Sequence, residues 1–546
     1  MNENLKKLVC PDSAKLRFLY LTVTGILSGI CITFPTVFGA ILEWISFIPA
    51  ALAFYSAVKS EIKPKSFFRG SFWLIYSQHL IVYHWFASFY PLEFTGMSKL
   101  AAAGVVVVAI LGLSLLAAIF GGIIGLVLLL ASKSALAKKY TIVLPFAASA
   151  AYVLCEWIRT QFWFGVPWSR LALGQLTDLP PFTALSASVF GSYFVTFAIV
   201  SVSFLFAQAI FIGKFKLRTI VALSLAALNL AVGVIVYFAP SPEYDTVKVA
   251  VIQGNISSRD KWDDGSYRSS FEVHMDLSRE AAIEGADIII WSETSLLSFR
   301  SEYKRELTQL CKEYETYLIF GLLDEVDSQP RNRLCLIDSN GEISETVYVK
   351  RHLVPFGEYV PMRQLVTFIF PPLAEIGMLS EDLVFGEGSN LFAVAHNGKE
   401  INVGGLICFD SIYESLAYQS ASDGADLLCV STNDSWFEDS RAVYMHCEQS
   451  RLRAIENRLP VVRSANTGIS ALITDKGEVI DSLEPLVEGY VIADVPLSES
   501  SSVSQNVSTV FLLLCSIVLF VPAGFAIHGF IIKKNTLNSN GLSDCS

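Results

Sequence analysis

The chain has 546 residues, 53% of them hydrophobic and only 17% charged, with a net charge of -11 and a mean hydropathy of +0.49. A soluble protein of this size seldom reaches such values, so membrane-spanning segments are expected before any residue is read. The acidic balance, with no Lys/Arg-rich or aromatic-basic run, argues against nucleic acid as a partner. Ten cysteines are scattered without a CxxC pair or a Cys/His cluster at metal spacing, which argues against zinc.

Residues 2–17 are polar and basic, and apolar runs follow at about 18–34, 38–57, 68–90, 100–131, 142–159, 186–212 and 218–239, with one more at about 508–531. Each meets or approaches the ~20 residues that cross a bilayer core. The 100–131 run is long for one crossing and is kept as one span. The connecting loops test this count. Lys59, Lys63, Lys65 and Arg69 lie in one loop, Lys133, Lys138 and Lys139 in a second, Lys214, Lys216 and Arg218 in a third, and Lys533 and Lys534 after the last run. Alternate loops carry only Lys99, Arg159 and Arg170. With eight crossings, every basic loop falls on the cytoplasmic side, both chain ends lie inside, and residues 240–505 lie on the outer face. Glu43, His79, His84 and Glu156 sit within the runs. Such groups pair with one another, snorkel or mark function, and the five-residue spacing of the two histidines does not place them on one helix face as metal ligands.

From Tyr244 to about Leu497 the composition becomes that of a globular domain. Short apolar strands are expected at Val247–Ile252, Ala286–Trp291, Tyr317–Gly321, Leu334–Ile337, Ile401–Cys408, Leu427–Ser431 and Val461–Ser464. Helical spacing falls at 266–284, 299–315, 411–422 and 441–457, which makes one α/β domain. The predicted organisation is a membrane domain over 1–240, a catalytic domain over 241–505 with an apolar insertion at 362–386, and a closing span and tail over 506–546. The insertion holds Leu365–Leu373 and Ile376–Leu379. It is more apolar than a water-exposed loop should be and reads either as a lid entering the bilayer or as a segment packed on its own domain.

Three residues in the domain carry chemistry. Cys408 ends a buried apolar strand and enters a polar turn, Glu293 lies in Trp291-Ser-Glu-Thr294, and Lys350 follows Tyr348-Val349. Taken alone, Cys408 also reads as a buried inert thiol. A cysteine nucleophile needs a base because its thiol is mostly unionised at neutral pH, and a carboxylate in apolar surroundings can serve. An ammonium and a backbone N–H, here that of Phe409, can hold the oxyanion of a tetrahedral intermediate. Glu, Lys and Cys thus form an acyl-transfer set that calls for no metal and no cofactor.

The surrounding residues make the set specific. They are Glu156-Trp-Ile-Arg159, Phe164-Gly-Val-Pro-Trp168, Val251-Ile-Gln-Gly-Asn-Ile256, Lys261-Trp262, the stretch Lys350-Arg-His-Leu-Val-Pro-Phe-Gly-Glu-Tyr-Val-Pro361, Asn433-Asp-Ser-Trp-Phe437, Arg453-Ala-Ile-Glu456 and Arg463-Ser-Ala-Asn-Thr-Gly468. Together they resemble the nitrilase (carbon–nitrogen hydrolase) superfamily and, over nearly the whole chain, its membrane-bound branch, the bacterial apolipoprotein N-acyltransferases. The resemblance implies a polytopic helical membrane domain and an extracytoplasmic αββα sandwich in the cytoplasmic (inner) membrane. It implies Glu293 as general base, Lys350 as stabiliser of oxyanion and thiolate, Cys408 as nucleophile, Glu358 as a further essential glutamate and Trp262 as a substrate-side residue. The activity it implies is transfer of an acyl chain from a phospholipid, chiefly phosphatidylethanolamine, to the diacylglyceryl-cysteine of lipoproteins through a thioester, by a monomer. The sequence departs from the family pattern at three places. Cys408-Phe409-Asp410 stands for Cys-Tyr-Glu, which puts the reach of the shorter Asp410 carboxylate in doubt. Ser292 stands for proline before the base, and Arg331-Asn-Arg333 for Tyr-Asn-Ser, with Asn332 retained. A membrane-anchored amidase or acyltransferase with another substrate, and a catalytically inactive relative, are the alternative readings.

Overall fold

The computed structural model describes residues 8–92, 98–162, 165–239, 245–257, 267–369, 381–498 and 503–543. The chain divides into two compact units, one of residues 1–84, 108–236 and 506–546, the other of residues 85–107 and 237–505.

Among the described residues, six helices are long and apolar enough to cross a membrane: Ala14–Thr33, Val37–Lys59, Lys99–Ser132, Ser192–Ile212, Phe215–Phe238 and Ser504–Lys533. The second restarts near its middle, where Val37–Ser46 gives way to Ile48–Lys59 with Pro49 in the new first turn, a position that does not need the missing N–H. The 100–131 run is one unbroken helix of 34 residues, about 50 Å at 1.5 Å per residue. It exposes Val108, Leu111, Leu115 and Ile119 along one flank, a stripe suited to lipid rather than water. The other two predicted spans are also helical. Pro64–Val82 carries Lys65, Arg69, Gln78 and His79, and Val143–Ile158 has only 16 residues, so neither has the length and hydropathy of the other six. Glu43, His79 and Glu156 find partners within this unit. Gln175 donates to Glu43 at 2.6 Å, Leu171 N and Thr196 Oγ1 donate to Glu156 at 3.0 and 2.8 Å, and His79 bonds Ser169 and Arg159.

The second unit holds two six-stranded sheets. The first runs β12 (Gly489–Pro496), β1 (Thr246–Gln253), β2 (Ile288–Ile290), β3 (Tyr317–Val326), β4 (Gln329–Ile337) and β5 (Ile343–Val349). The second runs β11 (Val479–Ser482), β10 (Ala471–Ile473), β9 (Val461–Ala465), β8 (Leu427–Thr432), β7 (Lys399–Ile407) and β6 (Phe392–His396). In each sheet three central strands are parallel, β1-β2-β3 and β7-β8-β9, and their neighbours are antiparallel. Val249, Val251, Ile288 and Ile319 of the first sheet share one buried cluster with Val403, Ile407, Leu427 and Val462 of the second, so the sheets pack face to face. The far side of the first sheet buries Ile252, Ile289 and Phe320 against Phe271 and Met275 of helix Tyr267–Ile283 and Leu307 and Leu310 of helix Ser301–Tyr314. Helices Glu414–Ser422 and Arg441–Asn457 follow β7 and β8, which completes an αββα order. The central strands match the sequence expectation. The antiparallel strands β5, β6, β10, β11 and β12 were not expected from it. Several of them alternate buried and exposed residues or are wholly exposed, as in β11, a pattern weaker than the continuous apolar runs of parallel strands.

Candidate active site

Cys408 leaves β7 in a turn of 3-10 helix over Cys408–Ile412, with a φ of +47°. That left-handed conformation costs a residue with a Cβ about 1–3 kcal/mol and turns the chain sharply after the strand. Asp410 offsets the cost. Its fully buried carboxylate accepts from Ile407 N at 3.1 Å, His352 N at 2.7 Å and Tyr348 Oη at 2.9 Å. The aspartate therefore does reach, and it ties the turn to the segment leaving β5. Burial pushes its carboxyl up to about 6, against the lowering influence of Lys350 and these hydrogen bonds.

Lys350 is the first residue after β5, anchored by its N–H to Asn332 O at 2.8 Å, with its side chain 1% exposed. Its Nζ donates to Glu293 Oε1 and to Glu358 Oε1, both at 2.8 Å. Glu293 follows β2 in a turn that needs room. A Cβ at Gly321 on neighbouring β3 would lie 2.4 Å from Ser292 O. Asn332 Nδ2 donates to Glu293 Oε1 at 2.8 Å and to Glu358 Oε1 at 3.2 Å, and Asn433 N donates to Glu293 Oε2 at 2.8 Å. Glu358 Oε2 accepts from Val354 N at 2.8 Å, which folds the 350–358 segment around the lysine. Burial works against a charge on Lys350, yet Glu293 and Glu358 push its pKa well up. Burial also pushes the Cys408 thiol up, reinforced by the charge of Glu293 and opposed by that of Lys350. Burial thus favours the protonated sulfur, and a cysteine so placed needs a base before it can attack.

A second ionic cluster also neighbours Cys408. Asp434 Oδ1 bonds His446 Nδ1 at 2.9 Å, and Asp434 Oδ2 accepts from Arg463 Nη2 at 2.6 Å. His446 Nε2 lies 3.2 Å from the Cys408 carbonyl oxygen. Burial opposes the Asp434 charge, but His446 and Arg463 hold its carboxyl down at about 2. Cys408, Asp434 and His446 bring ligand atoms within 4.8 Å of one another, although no spacing in the sequence announces the group. Both ring nitrogens of His446 and both oxygens of Asp434 already have protein partners, so the trio reads as a frame around the cysteine rather than a cage for an ion.

Glu293, Lys350 and Glu358 are therefore joined by direct hydrogen bonds, the charges of Glu293 and Lys350 bear on the Cys408 sulfur, and the Phe409 backbone and Asp410 belong to the turn that carries that sulfur. Trp262, with Lys261, lies outside the described residues. Sequence reasoning assigned no role to Asp434, His446, Asn433 or Arg463. Two signals were present: Asn433, Asp434 and Arg463 stand in stretches that carry the family resemblance, and His446, Gln449, Ser450, Arg453 and Asn457 recur at helical spacing and are buried, a polar stripe where an apolar one is usual.

The carbon–nitrogen hydrolase family matches residues 248–505, and the apolipoprotein N-acyltransferase N-terminal domain matches residues 28–205. The apolipoprotein N-acyltransferase of Rhizobium etli is 32% identical over 413 residues, covering 71% of this chain and 74% of that protein. Those of Geobacter metallireducens (31% identical, 69% of this chain and 73% of the other) and Haemophilus ducreyi (28%, 66% and 72%) are similar over comparable lengths. Among solved structures, an amidase from Nesterenkonia sp. is 17% identical with a TM-score of 0.35, covering 48% of this chain and 94% of that one. Helices apolar enough for a bilayer, a two-sheet α/β unit and the matches across both regions have one common reading: the chain is a membrane protein belonging to the apolipoprotein N-acyltransferase family.

Proposed function

We propose that the protein N-acylates the diacylglyceryl-cysteine of lipoproteins in two half-reactions through a thioester on Cys408. Glu293 takes the thiol proton, and the sulfur attacks an ester carbonyl of a glycerophospholipid, chiefly phosphatidylethanolamine. The Lys350 ammonium and the Phe409 N–H stabilise the tetrahedral oxyanion. The C–O bond breaks, and the lysophospholipid leaves with the proton from Glu293. The α-amine of the lipoprotein then attacks the thioester, Glu293 receives its proton, and that proton returns to the departing thiolate. Glu358 holds Lys350 in place from its other side, and Trp262 borders the substrate. The observation that carries this reading is Lys350 Nζ at 2.8 Å from both Glu293 and Glu358, with the charges of Glu293 and Lys350 bearing on the Cys408 sulfur.

Membrane-anchored substrates agree with a catalytic domain, residues 241–505, tethered by spans at both ends. The distribution of basic loops supports eight crossings of the cytoplasmic (inner) membrane, with both termini inside and the catalytic domain on the outer, periplasmic face. The expected lid at 362–386 falls largely on residues 370–380, outside the described residues; Met362, Leu365, Phe368 and Phe385 on either side are exposed. The chain works as a monomer.

The test is intact-protein mass spectrometry of purified wild type and Cys408→Ala after incubation with phosphatidylethanolamine. The expected result is one fatty-acyl mass on wild type alone, removed by a diacylated lipopeptide. An acyl adduct on Cys408→Ala, or none on wild type, would overturn the thioester. An adduct that the lipopeptide does not remove would overturn the acceptor and favour an amidase or acyltransferase with another substrate.

A further inference from the structure

We infer that His446 is a positioning residue for the oxyanion donor, holding the Cys408–Phe409 peptide by donating from Nε2 to the Cys408 carbonyl. The inference rests on the proposed role of Cys408 as nucleophile and goes beyond it to the group that aims the N–H of Phe409.

The argument begins with one peptide unit. The carbonyl of Cys408 and the N–H of Phe409 belong to the same trans peptide and point in opposite directions. Whatever holds the carbonyl therefore aims the N–H. Two side chains hold it. Ser411 Oγ donates to Cys408 O at 2.7 Å, and His446 Nε2 lies 3.2 Å from the same oxygen. Ser411 Oγ and His446 Nε2 are also 3.1 Å apart. A serine hydroxyl has a single hydrogen, and Ser411 directs its own at the carbonyl, so Nε2 donates toward these oxygens, and Nδ1, which faces the acceptor-only Asp434 carboxylate, donates as well. The Phe409 N–H has no backbone acceptor among the described residues.

The ring is itself fixed. His446 is 1% exposed, and its Nδ1 meets Asp434 Oδ1 at 2.9 Å and Arg463 Nη2 at 3.2 Å. Asp434 in turn accepts from Thr432 Oγ1 at 3.0 Å and Arg463 Nη2 at 2.6 Å. A Cβ at Gly468 would lie 2.3 Å from Asp434 Oδ2, so the chain closes on the carboxylate with no space left for it to swing. The clamp matters because the turn it holds is unfavourable. The φ of +47° at Cys408 is unfavourable, and with the Asp410 bonds holding the turn from one side, loosening the carbonyl clamp lets the Phe409 N–H turn from its aim. Donors to a carbonyl also polarise the N–H of the same peptide, which strengthens it as an oxyanion donor.

Two reactions of Cys408 separate this role from a general structural one. Acylation by phosphatidylethanolamine passes through an oxyanion, whereas alkylation by iodoacetamide displaces iodide at a saturated carbon and needs only the thiolate. His446→Ala should slow acyl-enzyme formation about 10- to 100-fold, less than the loss of a whole oxyanion donor. Its alkylation rate should stay within about twofold of wild type, and KM for the lipid should hold while kcat falls. His446→Gln, whose amide can place an N–H near the Nε2 position, should recover most of the acylation. Ser411→Ala, a smaller change to the same clamp, should slow acylation several-fold without slowing alkylation and serves if the histidine variants do not fold. A parallel fall of acylation and alkylation, or failure of glutamine to rescue, would overturn the inference. So would wild-type acylation in both His446→Ala and Ser411→Ala while wild type itself acylates on Cys408. Wild-type protein that is never acylated on Cys408 overturns the underlying reading instead, and this one with it.

Discussion

Two ionic clusters neighbour Cys408, and they differ in how their charges balance. In one, two carboxylates, Glu293 and Glu358, share the Lys350 ammonium. In the other, a single carboxylate, Asp434, is met by both Arg463 and His446. The first is rich in acceptors and has negative charge to spare, so a proton from the thiol has somewhere to go. Every carboxylate oxygen has a donor in both, but the second matches its one carboxylate with Arg463 and His446 and reaches out to the backbone of the nucleophile turn. Buried charge is tolerated in both because it is paired and hydrogen-bonded. The lesson is that burial and pairing alone do not identify a base. The ratio of carboxylates to cations around the thiol does.

That contrast breaks most sharply at Glu293. Glu293→Gln keeps a group of the same shape beside Asn433 and Lys350 but removes the base, and general-base catalysis is worth about 10²–10⁴-fold. Acyl-enzyme formation is expected to fall by about that factor. Because the Glu293 charge helps to push the thiol up, its removal should lower the thiol pKa and speed iodoacetamide alkylation at neutral pH. Opposite movements of the two rates identify Glu293 as a base. A common fall would make it only a scaffold, no different in kind from Asp434.

Asp434 should respond in the complementary way, through stability. Its carboxyl is held at about 2, below its ordinary value of 3.8, so the folded state favours the charged form. The sign follows: this stabilisation is present above pH 3.8 and is lost as the pH falls toward 2, and a depression of that size corresponds to about 2 kcal/mol. Asp434→Asn should therefore melt earlier than wild type in detergent at pH 7, and the gap should narrow as the pH is lowered from about 4 toward 2. A gap that does not change with pH would mean that Asp434 acts through packing rather than charge.

The roles of one cluster are legible in the sequence and the assembly of the other is not, for a physical reason. Lys350 and Glu358 are eight residues apart in one compact segment, so a local motif carries both. Glu293 and Cys408 end apolar strands that can be read from composition. Asp434, His446 and Arg463 lie behind Cys408 only because β7, β8 and β9 are adjacent and parallel in that order. Strand order is a tertiary fact with no local signature. The membrane region shows the same division. Apolar runs announced helices wherever they occurred, but the polar residues of Pro64–Val82 and the shortness of Val143–Ile158 separate those two from the six that composition alone qualifies. The shorter carboxylate of Asp410 was a doubt that only geometry could answer, since its reach depends on where Tyr348 and His352 stand.

The smallest effect sharpens the comparison from the side of the backbone. Ser292 precedes the base where the family pattern has proline, and its hydroxyl is buried without a hydrogen-bond partner among the described residues. An unpartnered buried hydroxyl is a cost that proline does not carry, and proline also restricts the unfolded chain, worth about 0.4–1 kcal/mol where the native conformation accepts it. Ser292→Pro should raise the melting temperature by a few degrees and leave the acylation rate within about twofold, because Glu293 is already held by Lys350, Asn332 and Asn433. A loss of acylation with stability unchanged would show that the turn before the base must move during the reaction. The acceptor-rich cluster would then be adjustable during turnover, in contrast to Asp434, which is enclosed on every side.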